Sequence, residues 1–238
     1  MASASVAISS TLQNAPAQPA DAPLQTPLMQ APSLQNPIAS VKRAVFGREA
    51  PSRDVRHIAD WVVDSGDNRG LPFVVIDKID ARVFVFDAGG RVRGTAPALL
   101  GLARGDDTAP GIGDRELASI LPEERTTPAG RFVAQRGMSL RGEDVVWVDY
   151  ESGVSLHRVV TNNPRERRLE RLATPTPDDN RISYGCINVP AAFYNEVVGP
   201  SFATTAGIVY VLPETRPVRQ VFGSYDVEAR PQYAVGTR

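Results

Sequence analysis

Cys186 is the only cysteine in a chain of 238 residues, and it stands in the stretch RISYGCINVP between a glycine and an isoleucine. The ordinary use of a lone cysteine is as a small apolar filler, because free cysteines are among the most buried residues. The alternative is a nucleophile, which requires surroundings that favour the thiolate over the thiol. Gly185 permits a bend and a close backbone approach that a Cβ would obstruct. Pro190, followed by AAFYNEVVG, suits the first turn of a helix that Gly199 would end. Cys186 is therefore expected on a tight turn just ahead of a helix N-terminus, where unpaired N–H groups would favour an anion and could hold an oxyanion. A base must come from the two histidines, His57 and His157. His157 lies in GVSLHRVV, where it could take the thiol proton and later protonate a leaving amine. A core histidine satisfied by a backbone carbonyl fits that pattern equally well. His57 lies off the apolar stripe of a helix and reads as a solvated surface residue.

Other chemistries find less support. Lys42 and Lys78 are the only lysines, so an amine nucleophile is disfavoured. One cysteine and two distant histidines offer no paired metal-ligand spacing. DAGGRVRG lacks the strand-to-helix setting of a nucleotide loop. No metal or cofactor is expected. A net charge of −1, with no window both basic and aromatic, gives no reason to expect nucleic acid. No apolar run approaches the roughly 20 residues a membrane-spanning helix needs. Papain-like and NlpC-like peptidases place cysteine before histidine, the reverse of the order here.

The elements that must position these residues can be read in outline. Residues 1–45 are rich in proline, alanine and glutamine and read as a disordered tether without the features of a secretory signal. Residues 46–70 form a helical lead-in, with Val55, Ile58, Ala59 and Val62 at helical spacing. From residue 71 the period becomes that of strands. FVVID, VFVFD and RVRGTAPALLG read as a meander, followed by GRFVAQ, VVWVDY, GVSLHRVV and AGIVYVLP. In the second of these, Val83 and Val85 face one side and Phe84 and Phe86 the other, so that strand should be buried between two layers. The long segment between Gly105 and Gly130 has room for one short helix in DRELASIL. Residues 71–213 therefore read as a mainly β, sandwich or barrel-like domain with minor α content, and residues 214–238 as a polar tail that could dock on it.

ISYGCIN, with a histidine on an earlier strand, resembles the signature of the L,D-transpeptidase (YkuD-like) family. RTTPAGRF is similar to that family's Thr-Pro-x-Gly-x-Phe turn, VSLH to its histidine strand, and the opening meander and AGIVYVLP to its first and last strands. The resemblance spans roughly residues 71–213. It implies a β-sandwich with short helices that acts on peptidoglycan stem peptides through a thioester on Cys186, with His157 as base. Ser183 and Asn188 would order the loop, and backbone N–H groups from Tyr184 to Gly185 and Cys186 would receive an oxyanion. Tyr184, Asn188 and Arg158 would lie toward substrate. An amine would resolve the thioester in cross-linking and water in hydrolysis. The implied location is periplasmic or secreted, associated with the cell envelope, and the default oligomeric state is a monomer.

Three features depart from the family pattern. Tyr184 stands where the family has histidine, and a phenol is no proton shuttle near neutral pH. Arg158 and Val159 follow His157 where small residues are common, which leaves the acceptor that orients the imidazole undefined. The interval between His157 and Ser183 is long. Asn163 and Pro164 could start a short helix there with Leu169 and Leu172 inward. Its Arg165, Arg167, Arg168 and Arg171 then read as a solvated face, or alternatively as a grip on substrate carboxylates. A hydrolase of the same fold and a non-catalytic wall-binding scaffold are the competing functions.

Overall fold

The computed structural model describes residues 41–229, so the expected tether and the end of the expected tail lie largely or wholly outside the described residues. The chain is mainly β with short helices, as its alternating apolar runs require. Helix α1 (Arg53–Ser65) begins at Ser52, whose hydroxyl accepts from the Val55 N–H, and stops at Gly66 in the left-handed region. Strands β1 (Phe73–Asp77), β2 (Arg82–Phe86) and β3 (Val92–Pro97) form the meander, and β4 (Leu100–Gly101) follows. Then come β5 (Gly130–Met138), β6 (Asp144–Asp149), β7 (Val154–Arg158), helix α2 (Arg168–Ala173), β8 (Arg181–Ser183) and β9 (Ile187–Val189). The chain continues through α3 (Ala191–Phe193), a π turn (Tyr194–Val198) and α4 (Gly199–Ser201) to β10 (Gly207–Val211) and α5 (Val218–Phe222).

Eight strands form one sheet in the order β3-β2-β1-β10-β5-β6-β7-β9, while β4 and β8 pair apart from it. The two edges of the large sheet meet. Leu99, just past β3, exchanges backbone hydrogen bonds of 2.8 and 2.9 Å with Asn188 of β9. The sheet thereby curls around a core that includes Val74, Val83, Val85, Leu156, Ile187, Tyr194 and Phe202. The other face of β1, β2 and β10 carries a second core, where Phe84, Phe86, Phe73 and Tyr210 pack against Val55, Ile58 and Val62 of α1. The alternation read in VFVFD is thus a strand buried on both faces. Past Pro213 the chain adds Val218, Phe222 and Tyr225 to this second layer.

Two local expectations are corrected. DRELASIL holds one 3₁₀ turn, Leu117–Ser119, just after another at Ile112–Asp114, rather than a helix. Only Ile112 and Ile120 of that region are buried, while Leu117 and Leu121 face solvent, so no apolar stripe holds a longer helix together. Gly199 does not stop the helix after Pro190. It has φ −54° and ψ −47° and opens α4, which ends at Phe202.

The aromatic layer under α1 is a sensitive point for stability. Phe73 is fully buried and stacks on Phe86 with ring centroids 4.6 Å apart, and its edge meets Tyr210 at 6.1 Å. Phe73→Ala should cost about 3–5 kcal/mol, read from the urea unfolding midpoint at unchanged slope. A loss below about 1 kcal/mol would mean that the layer repacks without it.

Candidate active site

Strand pairing sets the imidazole beside the turn that holds the thiol. β7 and β9 are parallel, with Leu156 opposite Ile187 and His157 opposite Asn188. Leu156 and Ile187 take the inward positions of this pair. Strand alternation then sends Ser155 and His157 to the other face, and the same register brings Ser155 beside the turn that holds Cys186. Cys186 is a half-buried residue whose Sγ lies 3.7 Å from Ser155 Oγ and 3.5 Å from the Gly153 carbonyl oxygen to which it donates. His157 Nδ1 lies 2.6 Å from the Arg158 carbonyl oxygen. A carbonyl only accepts, so Nδ1 carries the proton and Nε2 is left for the sulfur. The acceptor that the sequence left undefined is therefore the backbone of the next residue.

The electrostatics of the two groups are coupled. Burial alone would depress the His157 pKa, but hydrogen bonding and Coulomb attraction to Cys186, with the Arg158 carbonyl, raise it above the ordinary histidine value. Burial alone would push the Cys186 thiol up, but hydrogen bonding and attraction to His157, helped by Ser155, bring it below the ordinary thiol value. Each partner stabilises the charged form of the other. The arrangement can deliver a thiolate and keep a proton on the imidazole for a leaving group.

A hydrogen-bonded turn carries the sulfur. Ser183 Oγ donates to the Cys186 carbonyl at 2.7 Å and accepts from the Gly185 N–H at 3.1 Å. Thr127 Oγ1 donates to the Gly185 carbonyl at 2.8 Å and accepts from the Gly101 N–H at 2.9 Å. Gly185 has φ +131°, and a Cβ there would stand 2.7 Å from the Thr126 carbonyl oxygen. The glycine is required both by its dihedral and by that contact. Because Ser183 occupies the Gly185 N–H, this group drops out of the expected oxyanion donors. The N–H groups of Tyr184 and Cys186 have no backbone partner among the described residues.

The other expected site residues divide. Asn188 is 1% exposed, donates to the Cys186 carbonyl at 3.2 Å and accepts from Arg168 at 2.8 Å. It supports the turn from beneath and is not placed to touch substrate. Arg158 lines a groove of about 530 Å³ beside His157, together with Met138, Glu143 and Thr161. Its guanidinium is engaged by Asp144 and Asn195 and lies over the Tyr194 ring at 4.2 Å. Tyr184 is half-buried, with the Arg125 guanidinium 4.0 Å from its ring centroid. His57 is remote from the thiol in role: its Nε2 meets Ser224 Oγ at 2.9 Å and ties α1 to the segment after α5.

The expected helix N-terminus behind Cys186 is corrected. Ile187–Val189 forms β9, and α3 begins only at Ala191, so a strand and not a helix N-terminus follows Cys186. In the crossover before β8, Asn163 caps a 3₁₀ turn over Pro164–Glu166 that precedes α2. Leu172 is buried there, but Leu169 is 60% exposed. The arginines are not simply a solvated face. Arg168 reaches Glu166 and Asn188, and Arg171 donates to the Glu166 and Asp179 carbonyls.

Three contributors escaped the sequence reading. Ser155 was visible in principle, two residues before His157 on the same strand face. Thr127 lay inside a quoted motif without a role. Arg125 opens that same motif and was likewise given no role. No group of three or more His, Cys, Asp and Glu side chains suited to a metal gathers among the described residues.

No protein-family model matches the chain, and no curated protein matches it. Several solved structures are similar to it. One is the helical cell shape determining protein Pgp2 from Campylobacter jejuni, at 15% identity over 66% of this chain and 51% of that one, TM-score 0.42. Another is LD transpeptidase LdtMt1 in complex with imipenem, at 19% identity over 59% of this chain and 58% of that one, TM-score 0.34. A third is the catalytic domain from E. faecium L,D-transpeptidase, at 17% identity over 59% of this chain and 95% of that one, TM-score 0.33. The match spans little more than half the length of the first two. At these values the comparisons carry no argument about individual residues.

Two variants separate orientation from chemistry. Gly185→Ala should displace the turn from Thr126 at a cost of about 1–3 kcal/mol and sharply reduce alkylation of Cys186 by iodoacetamide. His157→Gln should shift the pH dependence of that alkylation upward, toward an ordinary thiol near ~8.5. An unchanged alkylation profile in folded His157→Gln would separate the imidazole from the sulfur.

Proposed function

We propose that the chain is a cysteine-dependent acyltransferase of the L,D-transpeptidase (YkuD-like) type, acting on peptidoglycan stem peptides in the bacterial cell envelope. The observation that supports this reading is the β7–β9 register, which sets His157 beside the strand that follows Cys186, with Nδ1 fixed on the Arg158 carbonyl and the sulfur on a hydrogen-bonded Ser183–Gly185 turn. The substrate class comes from the resemblance of RTTPAGRF, VSLH and ISYGCIN, in that order along the chain, to the family's motifs. No helix among the described residues is long and apolar enough to cross a membrane.

In the proposed reaction His157 Nε2 accepts the thiol proton, and Sγ attacks the carbonyl carbon of the scissile amide. The N–H groups of Tyr184 and Cys186 are the available donors for the resulting oxyanion. Collapse of the tetrahedral species breaks the C–N bond, and the imidazolium gives its proton to the departing amine. A thioester on Cys186 remains. A second amine regenerates the thiol by forming a new amide, and water does so by forming a carboxylate. In this scheme His157 serves both half-reactions, as base and then as acid.

Incubation with tetrapeptide muropeptides should release the terminal D-residue and place an acyl mass on Cys186. Cross-linked dimers would identify transfer and shortened monomers hydrolysis. Cys186→Ala should abolish the adduct, and His157→Gln should lower turnover by about 10²–10⁴-fold. Unaltered muropeptides with folded protein and an unlabelled thiol would refute the reading.

A further inference from the structure

Lys78 is a fully buried ammonium that the chemistry above does not use. It follows β1 directly, and its side chain is 0% exposed. Nζ donates to Asp106 Oδ1 at 2.9 Å, to the Gly105 carbonyl at 2.5 Å and to the Thr127 carbonyl at 2.9 Å, with Glu214 Oε1 at 3.6 Å. All three ammonium protons are therefore engaged, each with an acceptor. Asp106 is held by further donors, the N–H groups of Glu214, Thr215 and Arg216 and the Thr215 hydroxyl. These bonds and Lys78 keep its carboxyl well below the usual carboxylate range against the opposing effect of burial. Taking such a pair out of water is costly, and an apolar replacement of similar volume is often no less stable. Stability alone therefore does not account for the cluster.

The cluster leads to the nucleophile by two routes. Lys78 holds the Thr127 carbonyl, and the Thr127 hydroxyl donates to the Gly185 carbonyl at 2.8 Å. Gly185 and the Cys186 carbonyl are in turn joined through Ser183 Oγ. Along the second route Arg181, two residues before Ser183, donates to the Lys78 carbonyl at 2.8 Å and bridges both oxygens of Glu214 at 3.2 and 2.6 Å. Both the strand entering the cysteine turn and the glycine at its apex are thus fastened to one buried group of charges.

We propose that Lys78 is a positioning residue for Cys186, its buried ammonium fixing Thr127 and, through the Thr127 hydroxyl, the turn that presents the sulfur to His157. The inference rests on the nucleophile reading given above. A single ammonium offers three donors to three acceptors on two separate stretches of chain, Gly105–Asp106 and Thr127, which no apolar side chain can replace. Thr127 transmits that constraint because its carbonyl faces the ammonium while its hydroxyl faces the turn.

The test uses the full chain, with iodoacetamide alkylation of Cys186 followed against pH and thermal melting followed in parallel. Thr127→Val removes the hydroxyl and leaves the acceptors of Lys78 intact, and Thr127→Ser restores a hydroxyl. Lys78→Met combined with Asp106→Asn removes the ion pair without leaving either charge alone. Thr127→Val and the double variant should each move the alkylation midpoint upward by about one pH unit, about a tenfold loss of rate below both midpoints. Thr127→Ser should keep the wild-type midpoint. If the double variant does not fold, the Thr127 pair decides. A Thr127→Val protein that melts cooperatively and keeps the wild-type curve overturns the inference. A low wild-type midpoint that no variant moves refutes the positioning role alone. A wild-type midpoint at the ordinary thiol value refutes the underlying nucleophile reading instead.

Discussion

The parallel pairing of β7 with β9 is the constraint on which the site depends. Once Leu156 and Ile187 are committed to the core, alternation leaves Ser155, His157 and Cys186 no choice of face. Parallel neighbours need a crossover of a dozen or more residues, and here it runs from Val159 to Cys186. Some crossover between histidine and cysteine is therefore a topological necessity, and this one is longer than the minimum. Its arginines serve that end: Arg171 folds the crossover on itself, and Arg168 reaches beneath the strand to Asn188. The closing bridge from Leu99 to Asn188 holds β9 from its other edge.

Charge reinforces this placement at two depths. At the surface of the site, thiol and imidazole lower the cost of ionising one another, and the Arg158 carbonyl selects the tautomer that makes this possible. Beneath it, Lys78, Asp106, Glu214 and Arg181 form an ionic knot closed to solvent. The layer between them is neutral and made of short hydrogen bonds through Thr127, Ser183 and Gly185. Tyr184 belongs to neither layer. Its ring is covered by Arg125, so at this position the chain has stacking where the family pattern has an imidazole.

Much of this was legible in the sequence where a signal was local. Alternation in VFVFD placed Val83 and Val85 in one core and Phe84 and Phe86 in the other. The rarity of cysteine and histidine singled out Cys186 and His157 for joint consideration. What failed was nonlocal. Pro190 and the residues after it do start a helix, but INV before them is claimed by β7, a partner some thirty residues earlier. Gly199 resembled a stop because glycine often is one, yet nothing in its dihedrals requires it here. Asn188 looked like a substrate contact because it neighbours the nucleophile, whereas the Leu99 bridge and Arg168 bury it. Thr127 and Lys78 matter through contacts spanning 58 and 49 residues of sequence, which no window could show.

The central claim is that His157 and Cys186 titrate as partners. Nuclear magnetic resonance of ¹⁵N-histidine-labelled protein, followed against pH in wild type and in Cys186→Ser, tests it most directly. The account predicts that the His157 ring nitrogens titrate above the ordinary histidine value in the wild type and fall back when the sulfur is replaced. A His157 titration at the ordinary value, indifferent to Cys186→Ser, would contradict it.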